Sequence, residues 1–237
     1  MFAALEPRRL YRQAAEQLRM LIQSGEIPVG ERLPAERELA ERLGVSRPTV
    51  REALIVLEVE GFVQIRMGSG VYVSRNAGSE AAILPVDDSD GPFEILQARC
   101  LIESAIAEEA ARRVDSAGIE KLDLILREME GALEQPARAL TLDRAFHTAI
   151  ADIIGNSALN VFTGLIYDKR SSPFFEKLAS YFEGPHTWRA ALEEHMAIRN
   201  ALAAGDPEAA REAMRMHLTL SQKRFSESFG EEPTREE

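Results

Sequence analysis

Residues 33–73 read LPAERELAERLGVSRPTVREALIVLEVEGFVQIRMGSGVYV. Leu39, Ala40 and Leu43 share one face of a short helix that Gly44 stops, and Ser46 is suited to cap a second helix with the apolar stripe Val50, Ala53, Leu54 and Leu57. Helices of this size joined by Gly44-Val45-Ser46 predict a helix-turn-helix. After Gly61 the period changes. Phe62–Arg66 and Val71–Val73 predict two short strands around Met67-Gly68-Ser69-Gly70, a β-hairpin wing. Upstream, Ala14, Leu18, Leu21 and Ile22 repeat at helical spacing from Arg8 to about Gly25. The expected fold is mainly α, opening with a winged helix-turn-helix domain over residues 1–75.

On the second helix Arg47 and Arg51 lie four residues apart, away from the apolar stripe, with Thr49 near the helix start. These three are expected to project outward together, and Arg37 on the preceding helix to reach the same side. A helix N-terminus carrying backbone N–H groups, a hydroxyl and guanidinium groups suits a DNA major groove, where phosphates set position and base edges set sequence. The charge distribution agrees. Residues 1–75 hold eleven arginines and no lysine against ten acidic residues, a net of +1, which leaves −12 for the remainder of a chain whose total is −11. Only the N-terminal part is electrostatically suited to a polyanion, and guanidinium is the group that contacts phosphate and guanine bidentately.

From Ser74 to Gly91 the sequence loses periodicity and collects Gly, Ser, Asp and Pro, which predicts an interdomain linker over 76–91. Residues 92–230 show helical periodicity throughout, with segments near 92–114, 116–133, 138–154, 157–170, 173–181, 186–204 and 206–228. Gly155, Pro173, Gly184-Pro185 and Gly205-Asp206-Pro207 punctuate them. An all-helical bundle is expected there, followed by a disordered tail over 231–237. No run approaches the roughly 18 apolar residues of a membrane span, and the N-terminus lacks the order of a signal peptide, so a cytoplasmic protein without a membrane partner is expected. The single cysteine, Cys100, has no internal disulfide partner and is expected to be a small buried apolar group.

In the bundle, Leu140, Asp143, His147, Ile150 and Ile154 step by three and four, which places an aspartate and a histidine within an apolar stripe. The intrusion recurs at His195, within Leu192, Ile198 and Leu202, and at His217, within Ala210, Ala213 and Leu220. Burying such groups without partners costs about 1–3 kcal/mol each, and one divalent cation would satisfy all four. Imidazole and carboxylate ligands suit zinc, nickel or manganese, and with no thiolate in the set softness does not choose among them; zinc is the expected ion, with nickel or manganese as alternatives. Arg99 and Glu103 stand four apart on a mostly apolar helix, where they form either a surface ion pair or an inward arginine able to hold a carboxylate. Such a centre fits a regulator, a metal-dependent hydrolase or a metal sensor. No general base is evident beside it, and hydrolysis would leave the N-terminal domain unexplained.

The stretch from Leu33 to Val73 resembles the winged helix-turn-helix of GntR-family bacterial regulators. That resemblance implies operator contacts by Arg37, Ser46, Arg47, Thr49 and Arg51, and entry of Gly68 at the wing into the minor groove; the family often has a basic or polar residue where this chain has Met67. The combination with an Asp…His…His…His spacing resembles the FadR branch, whose C-terminal FCD domain binds a metal and a small carboxylate effector. This implies Asp143, His147, His195 and His217 as metal ligands. Across most of its length the chain is similar to regulators of hexuronate catabolism, which adds Arg170 to Arg99 as an effector-binding residue. The expectation is a homodimeric repressor on a palindromic operator, released by a hexuronate, and not an enzyme.

Overall fold

The computed structural model describes residues 9–75 and 90–225, which fall into two compact units, one on each side of the undescribed stretch. Most of the expected linker, the 231–237 tail and the 226–228 end of the last expected helix lie outside the described residues.

In the first unit, α1 (Leu10–Gln23), α2 (Glu36–Leu43) and α3 (Arg47–Val59) are followed by β1 (Val63–Arg66) and β2 (Gly70–Val73). The strands pair antiparallel with Val63 opposite Val73 and Arg66 opposite Gly70. The chain before α2 adds to β2: Leu33 donates to Val71 at 2.8 Å and Val73 to Glu31 at 2.9 Å. Gly44 closes α2 with a φ of 65°, a left-handed conformation that disfavours side chains carrying a Cβ. Ser46 then starts α3 by accepting from the Thr49 backbone N–H at 3.2 Å. Against α3, the hub of this unit, pack α1, α2 and β1, and every residue from Val50 to Leu57 is buried.

The second unit contains α4 (Pro92–Ala111), α5 (Ser116–Glu130), α6 (Pro136–Ile153), α7 (Ser157–Asp168), a 3-10 turn (Lys169–Ser171), α8 (Pro173–Phe182), α9 (Pro185–Ala203) and α10 (Pro207–Phe225). Proline opens α4, α6, α8, α9 and α10, where its missing N–H is no loss and its fixed φ suits the first turn. No strand occurs among its described residues. The core includes Phe146, Ile150, Leu122, Ile198, Leu202 and Met214, all under 2% exposed. Cys100 is half-buried at the edge of this core rather than fully enclosed. No helix among the described residues is long and apolar enough to cross a membrane.

Candidate functional site

Arg37 on α2 and Ser46 at the start of α3 are exposed, and Arg47 and Thr49 in the first turn of α3 are partly exposed. Gly68 sits exposed at the wing tip with a φ of 72°. Arg51 departs from the expected outward face. It is 1% exposed and binds Glu36 of α2 through Nε to Oε1 at 3.0 Å and Nη2 to Oε2 at 2.5 Å. The reason is the number of neighbours: with α1, α2 and β1 around it, α3 is buried on more faces than the stripe implied. Arg51 is thus a clamp between the two helices of the motif in this structure, whereas Arg47 Nη2 stands 3.9 Å from Glu36 Oε2 and is 42% exposed.

In the helical unit the four intruding polar groups converge. Asp143 and His147 lie one turn apart on α6, His195 on α9 and His217 on α10; all are buried, and one potential ligand atom from each falls within 4.8 Å of the others. The His195 and His217 ring centroids are 4.4 Å apart, and His147 is 5.4 Å from His195 and 5.3 Å from His217. On α10 Ala210 of the expected stripe is buried along with His217, and their other buried companions include Met214, Leu218 and Ser221, while Ala213 and Leu220 are only half-buried.

Around the cluster stands a ring of groups that orient it. His147 Nδ1 approaches Glu103 Oε2 at 2.5 Å, off the line of a regular hydrogen bond, and His217 Nδ1 lies 2.7 Å from Glu194 Oε2. Arg224 Nη1 also donates to Glu194, at 2.7 Å. Arg170 Nη1 donates to Asp143 Oδ2 at 3.1 Å, and the Tyr167 hydroxyl is hydrogen-bonded to the same carboxylate. Arg99 is inward, as one of the two sequence readings had it. Its guanidinium is taken by Glu103, with Nε to Oε1 at 2.6 Å, and lies 4.6 Å from the Tyr167 ring centroid.

The electrostatics follow from this packing. Burial pushes His195 far down, helped by the neighbouring His217, and burial likewise lowers His217, so these imidazoles are neutral and their lone pairs are available. Burial alone would raise the Asp143 carboxyl; the surrounding imidazoles of His147 and His195 and the guanidinium groups of Arg170 and Arg99 outweigh it and hold the group well below the usual carboxylate range. Glu103 is brought to about 2, since Arg99 and His147 overcome its desolvation.

These residues fit a metal ion. One ring nitrogen each of His147 and His195 could coordinate an ion, and the Nε2 atoms of both are buried with no hydrogen-bond partner, an unfavourable state that coordination would relieve. Carboxylates behind the Nδ1 atoms of His147 and His217 are the usual outer support of metal-binding histidines. Beside the cluster is a cavity of about 30 Å³, with Asp143, His217, Arg170, Glu183, Thr187 and Trp188 among its lining residues. Arg99 is not among the lining residues.

The sequence pattern alone did not point to Tyr167, Glu183, Trp188, Glu194 or Arg224. Glu194 adjoins His195 in the chain yet serves His217, a pairing across 23 residues that depends on how α9 meets α10. His186, outside the stripes, is exposed near the start of α9.

A winged helix-turn-helix followed by a helical unit with a buried acid–imidazole centre is the architecture of a DNA-binding regulator. The model of the GntR family of bacterial regulatory proteins matches residues 10–73, and that of the FCD domain matches residues 94–220. The chain is 43% identical over 217 residues to the Exu regulon transcriptional regulator of Escherichia coli K12, covering 90% of this chain and 83% of the relative. It is 39% identical over 233 residues to the Uxu operon transcriptional regulator of the same organism, covering 96% and 91%. A solved structure of E. coli McbR/YncC aligns over 92% of this chain and 97% of that one, with a TM-score of 0.51 and 19% identity, a likeness of fold. The protein belongs to the GntR family and carries an FCD domain; it is a transcriptional regulator and not an enzyme.

Proposed function

We propose that the protein is a homodimeric repressor of hexuronate-utilisation genes that leaves a palindromic operator when a hexuronate binds at a metal centre in the helical domain. The observation carrying this reading is the buried set Asp143, His147, His195 and His217 beside a cavity that Arg170 also lines. The four residues would hold one divalent ion, zinc foremost, with nickel or manganese as alternatives. The metal would supply open coordination positions for the carboxylate and adjacent hydroxyl of a sugar acid. Arg170 would neutralise the remaining charge through charge-assisted hydrogen bonds. Arg99 would act one layer out, holding Glu103 against His147. Effector binding changes DNA affinity only by favouring one arrangement of the protein over another.

Operator recognition is assigned to Arg37, Ser46, Arg47 and Thr49, with Gly68 at the wing entering the minor groove. Arg47→Ala is expected to weaken operator binding by about 1–3 kcal/mol, the range for a base-reading arginine. Footprinting followed by gel shifts at fixed salt checks this. Two symmetric half-sites and a clear affinity loss are expected; one half-site, or unchanged affinity, would refute the assignment.

Galacturonate, glucuronate or fructuronate is expected to lower operator affinity, and Arg99→Ala to blunt that response while leaving effector-free DNA binding intact. Calorimetry with metal-loaded protein tests the first point and gel shifts the second. Absence of binding by all three uronates would reject the hexuronate reading.

A further inference from the structure

The cavity beside the metal-type cluster is nearly full. At about 30 Å³ it has room for roughly one water, whereas small-molecule sites run to about 300–1,000 Å³. Something must move before a sugar acid enters. Most lining groups are poor candidates because they are held within helices: Asp143 by Arg170 and Tyr167, His217 by Glu194.

Glu183 differs. It is the residue after α8, with extended backbone (φ −91°, ψ 132°), and it precedes Gly184-Pro185 at the start of α9. Its carboxylate accepts from Arg170 Nη2. The other Nη of Arg170 goes to Asp143 at 3.1 Å, so Glu183 occupies the outer half of the guanidinium fork.

We propose that Glu183 is a built-in stand-in for the effector's carboxylate: it occupies Arg170 in the effector-free protein, and the effector displaces it. This rests on the reading that a small carboxylate binds beside the cluster. The exchange is chemically matched, since one carboxylate replaces another on the same guanidinium and no buried charge is left unpaired. The side chain of Glu183 is 21% exposed, so a rotamer change carries its charge into water. Burial raises its carboxyl despite the pull of Arg170, which means its inward position is incompletely compensated. Two donors await the incoming ligand. Arg170 Nε and Trp188 Nε1 are buried without a hydrogen-bond partner, and the indole N–H suits a sugar hydroxyl. Displacement would also release the α8–α9 junction, coupling occupancy to the position of α9, which carries His195.

The test compares wild type with Glu183→Ala and the conservative Glu183→Gln, all full length and purified without chelator. Trp188 is the only tryptophan, so its fluorescence reports the cavity directly. If the inward state of Glu183 leaves about one molecule in ten competent, both variants should bind galacturonate about tenfold more tightly. Acetate, the simplest carboxylate, should raise the melting temperature of Glu183→Ala and not that of wild type, by filling the vacated place on Arg170. Equal or weaker galacturonate binding by both variants would overturn the proposal by making Glu183 a contact or a bystander. If galacturonate binds none of the three proteins while acetate selectively stabilises Glu183→Ala, the uronate reading fails and the stand-in role holds. If neither ligand distinguishes the variants from wild type, the stand-in role is wrong.

Discussion

Protein purified without chelator is expected to carry close to one equivalent of a divalent metal, and His195→Ala to carry almost none. His195 is fully buried and neither ring nitrogen has a hydrogen-bond partner, so coordination is the interaction that would stabilise it. Removing the ring deletes one ligand of four and leaves His147 Nε2 and Asp143 without the shared ion. A ligand present at a thousand times its dissociation constant stabilises the folded state by about 4 kcal/mol. For a domain of this size that corresponds to roughly 10 °C in melting temperature. Chelation of wild type should therefore lower the helical domain's transition by about that much, and His195→Ala should melt near chelated wild type whether or not chelator is added. Elemental analysis and calorimetry decide the matter. Metal-free wild type with an unmoved transition would make the cluster a polar core instead.

Arg51→Ala is expected to destabilise the DNA-binding unit by about 3–5 kcal/mol, the cost of removing one partner from a buried ion pair. Arg51 and Glu36 are 1% and 2% exposed, and the pair ties α2 to α3 through two hydrogen bonds. Its loss leaves the Glu36 charge buried without its bidentate partner, the long 3.9 Å approach of Arg47 being a weak substitute. Arg47→Ala should instead leave the fold within about 0.5 kcal/mol of wild type, because Arg47 is partly solvated and its approach to Glu36 is long. Replacing both members together, as Arg51→Met with Glu36→Leu, should recover most of the loss, since apolar groups of similar volume often replace buried ion pairs at little cost. Calorimetry on the full chain resolves the two units if they melt separately. Equal melting of the Arg47 and Arg51 alanine variants would rule out the clamp and return Arg51 to the outward, DNA-facing set.

Periodicity and punctuation make the elements legible in the sequence itself. Gly44, Ser46 and the shift to alternation after Gly61 announced α2, α3 and the wing, because caps and turns act within a few residues of chain. Pro173, Gly184-Pro185 and Gly205-Asp206-Pro207 did the same for the later helices of the bundle. The Asp143/His147/His195/His217 set was visible for the same reason: a polar residue on an apolar helical face has nowhere to point but inward.

What the local pattern could not carry was which inward or neighbouring group meets which. Arg47 and Arg51 look alike from spacing, yet only Arg51 faces Glu36 closely, because α2 covers that side of α3. The spacing of Arg99 offered either a surface pair with Glu103 or an inward arginine, and gave no sign that the pair is itself buried and, through Glu103, supports His147. Glu183, Trp188 and Glu194 reached the site without any stripe to mark them. By itself the sequence determined the helices, the wing and the four inward polar groups, since each depends on hydrogen bonds and burial patterns within one element. Only tertiary packing decided the partner of each charge, because ion pairs between helices depend on crossing geometry that no single element encodes.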